Sequence, residues 1–194
     1  FFVNKTLANF SPLSYPYTKK KGGYYTLLIK HTYAINDDGS VTSYPHEEQR
    51  PIEGDVPYDD ELGQSVRRPN DIPDVKPLTD VIVNGHACAP GGEPVERLTV
   101  AFEFQNLRKE LLVTGEREWC QDKRGYWYVS APQPFTTMPM RWEKSYGALD
   151  DMRNPLGKGG GPDPLGDPEE PRYPLPNIED PAAPVRNLDD RPGP

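Results

Sequence analysis

Two cysteines in 194 residues, Cys88 and Cys120, are too few for the disulfide framework of a small secreted domain, and both are read as free thiols. Basic residues are also short: 22 Lys and Arg against 30 Asp and Glu leave a formal charge of -8. That deficit argues against a nucleic-acid partner, because affinity for a phosphate backbone comes from Lys and Arg displacing counterions. The local exception, Lys19-Lys20-Lys21, runs at once into Gly22 and Gly23 and reads as a solvated loop. No apolar run approaches the roughly 20 residues that cross a bilayer, so no membrane partner is expected. Phe1, Phe2, Asn4 and Lys5 lack the basic start and apolar centre of a secretory leader, and a cytoplasmic location is the expectation. Long helices are excluded by a different feature: 24 Pro and 17 Gly break them repeatedly.

What is present is short, period-two apolar patterning. Between Tyr24 and Ile35, Tyr25, Leu27, Ile29, Tyr33 and Ile35 fall on one face, which predicts a half-buried strand with that face toward a core. Asn36 to Ser40 supply turn chemistry and Val41 to Tyr44 a returning strand. Further strands are expected over Asp80–Ala87, over Leu98–Phe104 with Leu98, Val100, Phe102 and Phe104 on one face, over Lys109–Thr114 after a turn at Asn106–Arg108, and over Tyr126–Ser130. Met138, Met140 and Trp142 alternate as well, but Pro139 has no amide to donate, so residues 134–147 read as an edge strand or extended segment. The stretch 47–77 mixes acidic residues with proline and reads as a long loop.

The fold class that follows is mainly β: an antiparallel β-sandwich or partly open barrel over residues 1–150, with a long Pro-rich irregular extension over 151–194. That last stretch holds 11 prolines and 9 acidic residues against 5 basic ones. It has too few apolar anchors for a core of its own, and the expectation is that it lies across the β domain or stays disordered.

Candidate chemistry is sparse. His86 and Cys88, two residues apart on one strand face, offer the centre of a hydrolase-like enzyme, yet no second Cys/His pair follows at zinc spacing and no oriented base is visible, so a structural role is favoured. His31 reads as a histidine at the core rim, bonded to backbone. Gly157-Lys158-Gly159-Gly160-Gly161 lacks the spacing and the Ser or Thr of a phosphate loop. Adjacent acids such as Asp37-Asp38 suit turns, and no calcium-loop spacing occurs. No catalytic residue, metal or cofactor is expected. Aromatic side chains beside Pro or Gly are the stronger signal, because such residues anchor protein interfaces. Tyr58, Leu62, Trp142, Tyr146, Tyr173 and Ile178 are the candidate protein-binding residues; a carbohydrate-binding β-sandwich using exposed aromatics is the other non-catalytic alternative.

Several blocks carry a family resemblance. Leu28 to Ile35 (LIKHTYAI), Lys76 to Ala87 (KPLTDVIVNGHA), Pro134 to Met140 (PFTTMPM), Asn154 to Gly157 (NPLG), Leu175 to Pro181 (LPNIEDP) and Asp189 to Pro192 (DDRP) look like successive blocks of the bacterial domain-of-unknown-function family 2169, in the family's order. The chain departs where Ser145-Tyr146-Gly147-Ala148 replaces a Phe-Gly-Gly run. The resemblance implies a non-catalytic cytoplasmic adaptor or chaperone of type VI secretion. Its implied partners are a secreted effector and the valine-glycine repeat spike or its PAAR-type tip.

Overall fold

The computed structural model describes residues 11–19, 22–59, 65–72, 79–147, 152, 154–159 and 173–186, with side chains from residue 28 onward except at 159. Contacts divide the chain into two compact units, Phe1–Pro57 with Val66–Asp80, and Tyr58–Ser65 with Val81–Pro194. Residues 173–186 of the Pro-rich stretch thus belong to the same unit as residues 81–147.

In the first unit, β1 (Ser11–Lys19) and β2 (Gly22–Lys30) form an antiparallel hairpin in register from Ser11↔Lys30 to Lys19↔Gly22. The single strand expected over 24–35 is broken at His31 and Thr32, and β3 (Tyr33–Ile35) starts a second hairpin with β4 (Val41–Ser43). The Gln49 side chain explains the break. Its Oε1 accepts from Thr32 N–H at 2.8 Å and its Nε2 donates to Tyr44 O at 2.6 Å, so an amide stands in for a ladder strand. The expected turn forms, with Gly39 at φ +79 and Ser40 N–H donating to Asp38 Oδ1. The facing is the reverse of the expectation: Ile29, Tyr33 and Ile35 are exposed, while Leu28, Lys30, Thr32 and Ala34 are half-buried.

Part of the 47–77 loop is ordered by charge and short pairing. A 3-10 turn spans His46–Glu48, and β5 (Val56–Pro57) pairs with β6 (Val66–Arg68) across a register shift. Lys30 Nζ reaches Asp71 Oδ2 at 2.5 Å, Glu53 Oε1 at 3.5 Å and Pro51 O at 2.8 Å, and Arg68 Nε lies 3.4 Å from Glu53. One lysine thus ties three parts of a segment that has little apolar surface to bury.

The second unit contains β7 (His86–Cys88), β8 (Arg97–Phe104), β9 (Leu107–Thr114), β10 (Glu118–Gln121), β11 (Trp127–Val129), β12 (Thr137–Pro139), β13 (Tyr146–Gly147), β14 (Lys158–Gly159), β15 (Tyr173–Pro174) and β16 (Ile178–Glu179). They form sheets ordered β16-β9-β8 and β11-β10-β15, the pair β12-β7, and one parallel pair, β13-β14. The mainly β, antiparallel, sandwich-like class is as expected, and no sheet closes into a barrel among the described residues. β8 pairs with β9 from Arg97↔Thr114 to Phe104↔Leu107, turning at Gln105–Asn106, one residue earlier than predicted, with Gln105 at φ 54. The strand predicted from Asp80 forms only at His86–Cys88, and Val81, Ile82 and Val83 are exposed. Its partner β12 runs on past Pro139 to a last bond, Met140 N–H to Gly85 O. It then enters a 3-10 turn at Trp142–Lys144, which ends the pairing.

Two apolar clusters lie in this unit. Ala87, Val113 and Met138 are packed by Leu98, Val100, Phe135 and Met140. Trp119, Leu175 and Val185 are packed by Trp127, Val129, Tyr146 and Tyr173. Residues 173–186 give this unit the buried side chains Leu175, Ile178 and Val185, at about 1.5–3 kcal/mol for each.

Candidate protein-binding site

Tyr58 and Trp142 are brought into one neighbourhood by the residue between two others, Glu143. Its carboxylate is buried, and it accepts from Ser65 N–H and Ser65 Oγ, each at 2.7 Å. Tyr58 N–H in turn donates to Ser65 O at 3.4 Å, so Tyr58 and Ser65 are both tied to the 3-10 turn that carries Trp142. Nothing in local composition marks Glu143, since a Trp-Glu-Lys run reads as solvated surface.

The Arg141 guanidinium stands 3.6 Å over the Tyr58 ring, within cation–π range, and the Tyr58 hydroxyl donates to Asn84 Oδ1 at 3.3 Å. Beside them the Trp142 indole is 59% exposed. Its backbone is fixed: Trp142 O accepts from Asn154 Nδ2 and Ser145 Oγ, both at 2.9 Å. Trp, Tyr and Arg are the residue types that most often anchor interfaces, and with the backbone of Trp142 already held in place little order there remains to be imposed on binding.

The other candidates are placed differently. Tyr146 and Tyr173 are half-buried against Trp119, Leu175 and Val185, with the Tyr173 ring 5.7 Å from that of Trp127. Ile178 is an interior residue, not a surface anchor: it is 7% exposed and stands opposite Val113 on the neighbouring strand. The sequence gives no hint of this, since its neighbours are polar or proline. Leu62 lies outside the described residues, as do 160–172 and 187–194.

His86 and Cys88 both face outward while Ala87 between them is buried, and Cys88 and Cys120 are free thiols. Among the described residues no three His, Cys, Asp or Glu side chains converge to hold a metal. His31, expected to bond to backbone, is instead placed with Nε2 2.7 Å from the Ser43 Oγ and its ring stacked 4.2 Å from Tyr33.

Buried polar groups hold the frame of this unit. Asn154 Nδ2 also donates to Tyr146 O at 2.9 Å, and Asn177 Nδ2 donates to Thr114 O at 3.1 Å. Arg117 pairs with Glu179 and donates to Val185 O at 2.9 Å, while Glu179 Oε1 accepts from Val185 N–H at 2.8 Å. Burial pulls the Arg117 guanidinium down and pushes the Glu179 carboxyl up, and their mutual attraction offsets this only in part. For Glu116, burial also pushes upward. A 2.5 Å hydrogen bond from Lys144 and the charges of Lys158 and Lys144 outweigh it and hold the carboxyl below its usual value.

The Asn154–Gly157 and Leu175–Pro181 blocks therefore supply interior pins of the second unit through Asn154, Asn177 and Glu179. No curated protein and no solved structure matches the chain significantly. The family model described as "Uncharacterized protein conserved in bacteria (DUF2169)" matches residues 20–194. The chain belongs to that bacterial family, DUF2169.

Proposed function

We propose that this protein is a non-catalytic adaptor that binds other proteins, and that it holds a secreted effector of a type VI system for loading onto the valine-glycine repeat spike or its PAAR-type tip. The observation that carries the binding reading is the exposed Trp142 indole beside the Arg141–Tyr58 pair on a pinned backbone. The identity of the partners rests on the resemblance of the sequence blocks to the family, and a cytoplasmic location belongs to the same proposal. His86 and Cys88 face outward, and among the described residues no three His, Cys, Asp or Glu side chains converge to hold a metal; the proposal gives the patch a contact role.

The test is calorimetric titration of the full chain with the effector and spike-tip proteins encoded beside it. Trp142→Ala is expected to weaken binding by about 30-fold, the equivalent of about 2 kcal/mol lost at a hot spot. A Trp142→Ala chain that folds and binds with unchanged affinity would remove the patch from consideration. Failure of every neighbouring gene product to bind the intact chain would remove the adaptor reading itself.

A further inference from the structure

The first unit carries an apolar strip where an interior face was expected. Ile35 and Val41 stand directly opposite each other in the β3–β4 hairpin, and they are 80% and 60% exposed. Tyr33, two residues before Ile35, shares their face, is exposed, and stands opposite Ser43. His31 extends the strip, stacked on Tyr33 and bonded to Ser43 Oγ. Neighbouring apolar side chains on one outward sheet face are the usual mark of an interaction surface, whereas isolated ones need no explanation.

Charge decides what fits it. At the turn end lie the exposed Asp37 and Asp38, and beyond the other end lie the exposed Glu47 and Glu48 in the 3-10 turn that Gln49 fixes to Thr32 and Tyr44. Of the nearby cations, Lys30 is engaged by Asp71 and Glu53, and Arg50, next to Gln49, is one positive charge against these four acids. Two such faces brought together as a homodimer would set acidic ends against acidic ends in a chain already at -8, which disfavours a second copy.

We infer that the outward face of the β3–β4 hairpin is a docking surface for an extended segment of a partner protein that alternates apolar side chains with lysine or arginine. The apolar side chains lie over Tyr33, Ile35 and Val41, and the cations reach the acids at both ends. This surface is separate from the Trp142 patch and stands or falls without it.

Three dye-labelled synthetic peptides, alternating Val-Lys, Ser-Lys and Val-Glu, test this by fluorescence anisotropy with the full chain. The Val-Lys peptide is expected to bind. Ile35→Ser combined with Val41→Ser, or Asp37→Asn combined with Asp38→Asn, should each weaken it about tenfold. Ile35, Val41 and Asp37 are exposed and the Asn that replaces Asp38 keeps an Oδ1 to accept from Ser40 N–H, so the variants are expected to keep the parent's circular dichroism. Trp142→Ala should leave peptide binding unchanged. Equal binding of Ser-Lys would reduce the surface to charge alone, and equal binding of Val-Glu to apolar contact alone; either overturns the inference. So would a Val-Lys affinity that the hairpin variants leave intact, or a concentration-dependent dimer in sedimentation that Ile35→Ser with Val41→Ser abolishes.

Discussion

Arg117 and Glu179 are 62 residues apart in sequence and form an ion pair in which both side chains are almost wholly shielded from water. The pair fastens the chain around β16 to the start of β10, and Val185 completes it by bonding to both members through its backbone. Removing one partner leaves the other buried and uncompensated. Arg117→Leu is expected to cost about 3–5 kcal/mol, and Arg117→Leu with Glu179→Leu less than the two single changes summed. Urea denaturation of the three variants checks this.

Gly147 packs with no space for a side chain. A Cβ there would lie 2.1 Å from Asn154 O, a backbone atom of the segment whose side chain pins Trp142 and Tyr146. Gly147→Ala is expected to destabilise the second unit by about 1–3 kcal/mol, the range of an overpacked interior. Gly54→Ala, where a Cβ meets nothing within 4 Å, is the matched control, and thermal melts should separate the two.

Acid stability should divide between two glutamates of opposite sign. Glu116 has its pKa lowered in the fold, so the folded state binds fewer protons than the unfolded chain near the ordinary value of 4.5. Its contribution is present above that value and is lost as pH falls through the lower folded pKa. Glu179 has its pKa raised, so its contribution runs the other way, and stability declines as pH rises from the ordinary value toward the raised one. Melting temperatures followed on both sides of the ordinary value of 4.5 should therefore show a weaker acid decline in Glu116→Gln than in the parent. Glu179→Gln should sharpen that decline.

Glu143→Ala removes both acceptors of Ser65, two hydrogen bonds to a charged group worth about 1.5–3 kcal/mol each. Amide hydrogen exchange at Ser65 is expected to accelerate markedly in this variant, and partner affinity to fall toward that of Trp142→Ala, because the Tyr58 segment loses its attachment.

A chain ending at Asp150 should fail to form the Trp119 cluster, because Leu175 and Val185 are two of its three fully buried members. Near-ultraviolet circular dichroism of such a truncation is expected to lose its fixed aromatic signal in the second unit.

The contrast between the two ends of the chain explains what could be read from sequence. Leu98, Val100 and Phe102 are half-buried as their alternation predicts, because β8 has a full-length partner and one covered side, while Phe104 of the same predicted face is exposed beside the turn. Tyr33 and Ile35 alternate just as clearly and face outward, because period two states that a strand has two faces and not which is covered. Ile178 and Val185 are interior residues in a proline-rich, acidic setting, where composition suggests solvent. Their burial depends on Arg117, Thr114 and Trp119, all distant in sequence. Tyr58 and Trp142 stand out in the sequence as aromatic side chains in irregular segments, but Glu143, which ties their segments together, does not, because its partner Ser65 is 78 residues away.

The bond from Arg117 to Val185 spans 68 residues and belongs to the same interior as Trp119. During synthesis, Trp119 leaves the ribosome well before the segment that covers it. The second unit must therefore wait with an uncovered indole until the Leu175–Val185 stretch has emerged, and contacts of such long range form slowly. A stalled or prematurely released chain would leave that apolar surface uncovered and open to aggregation.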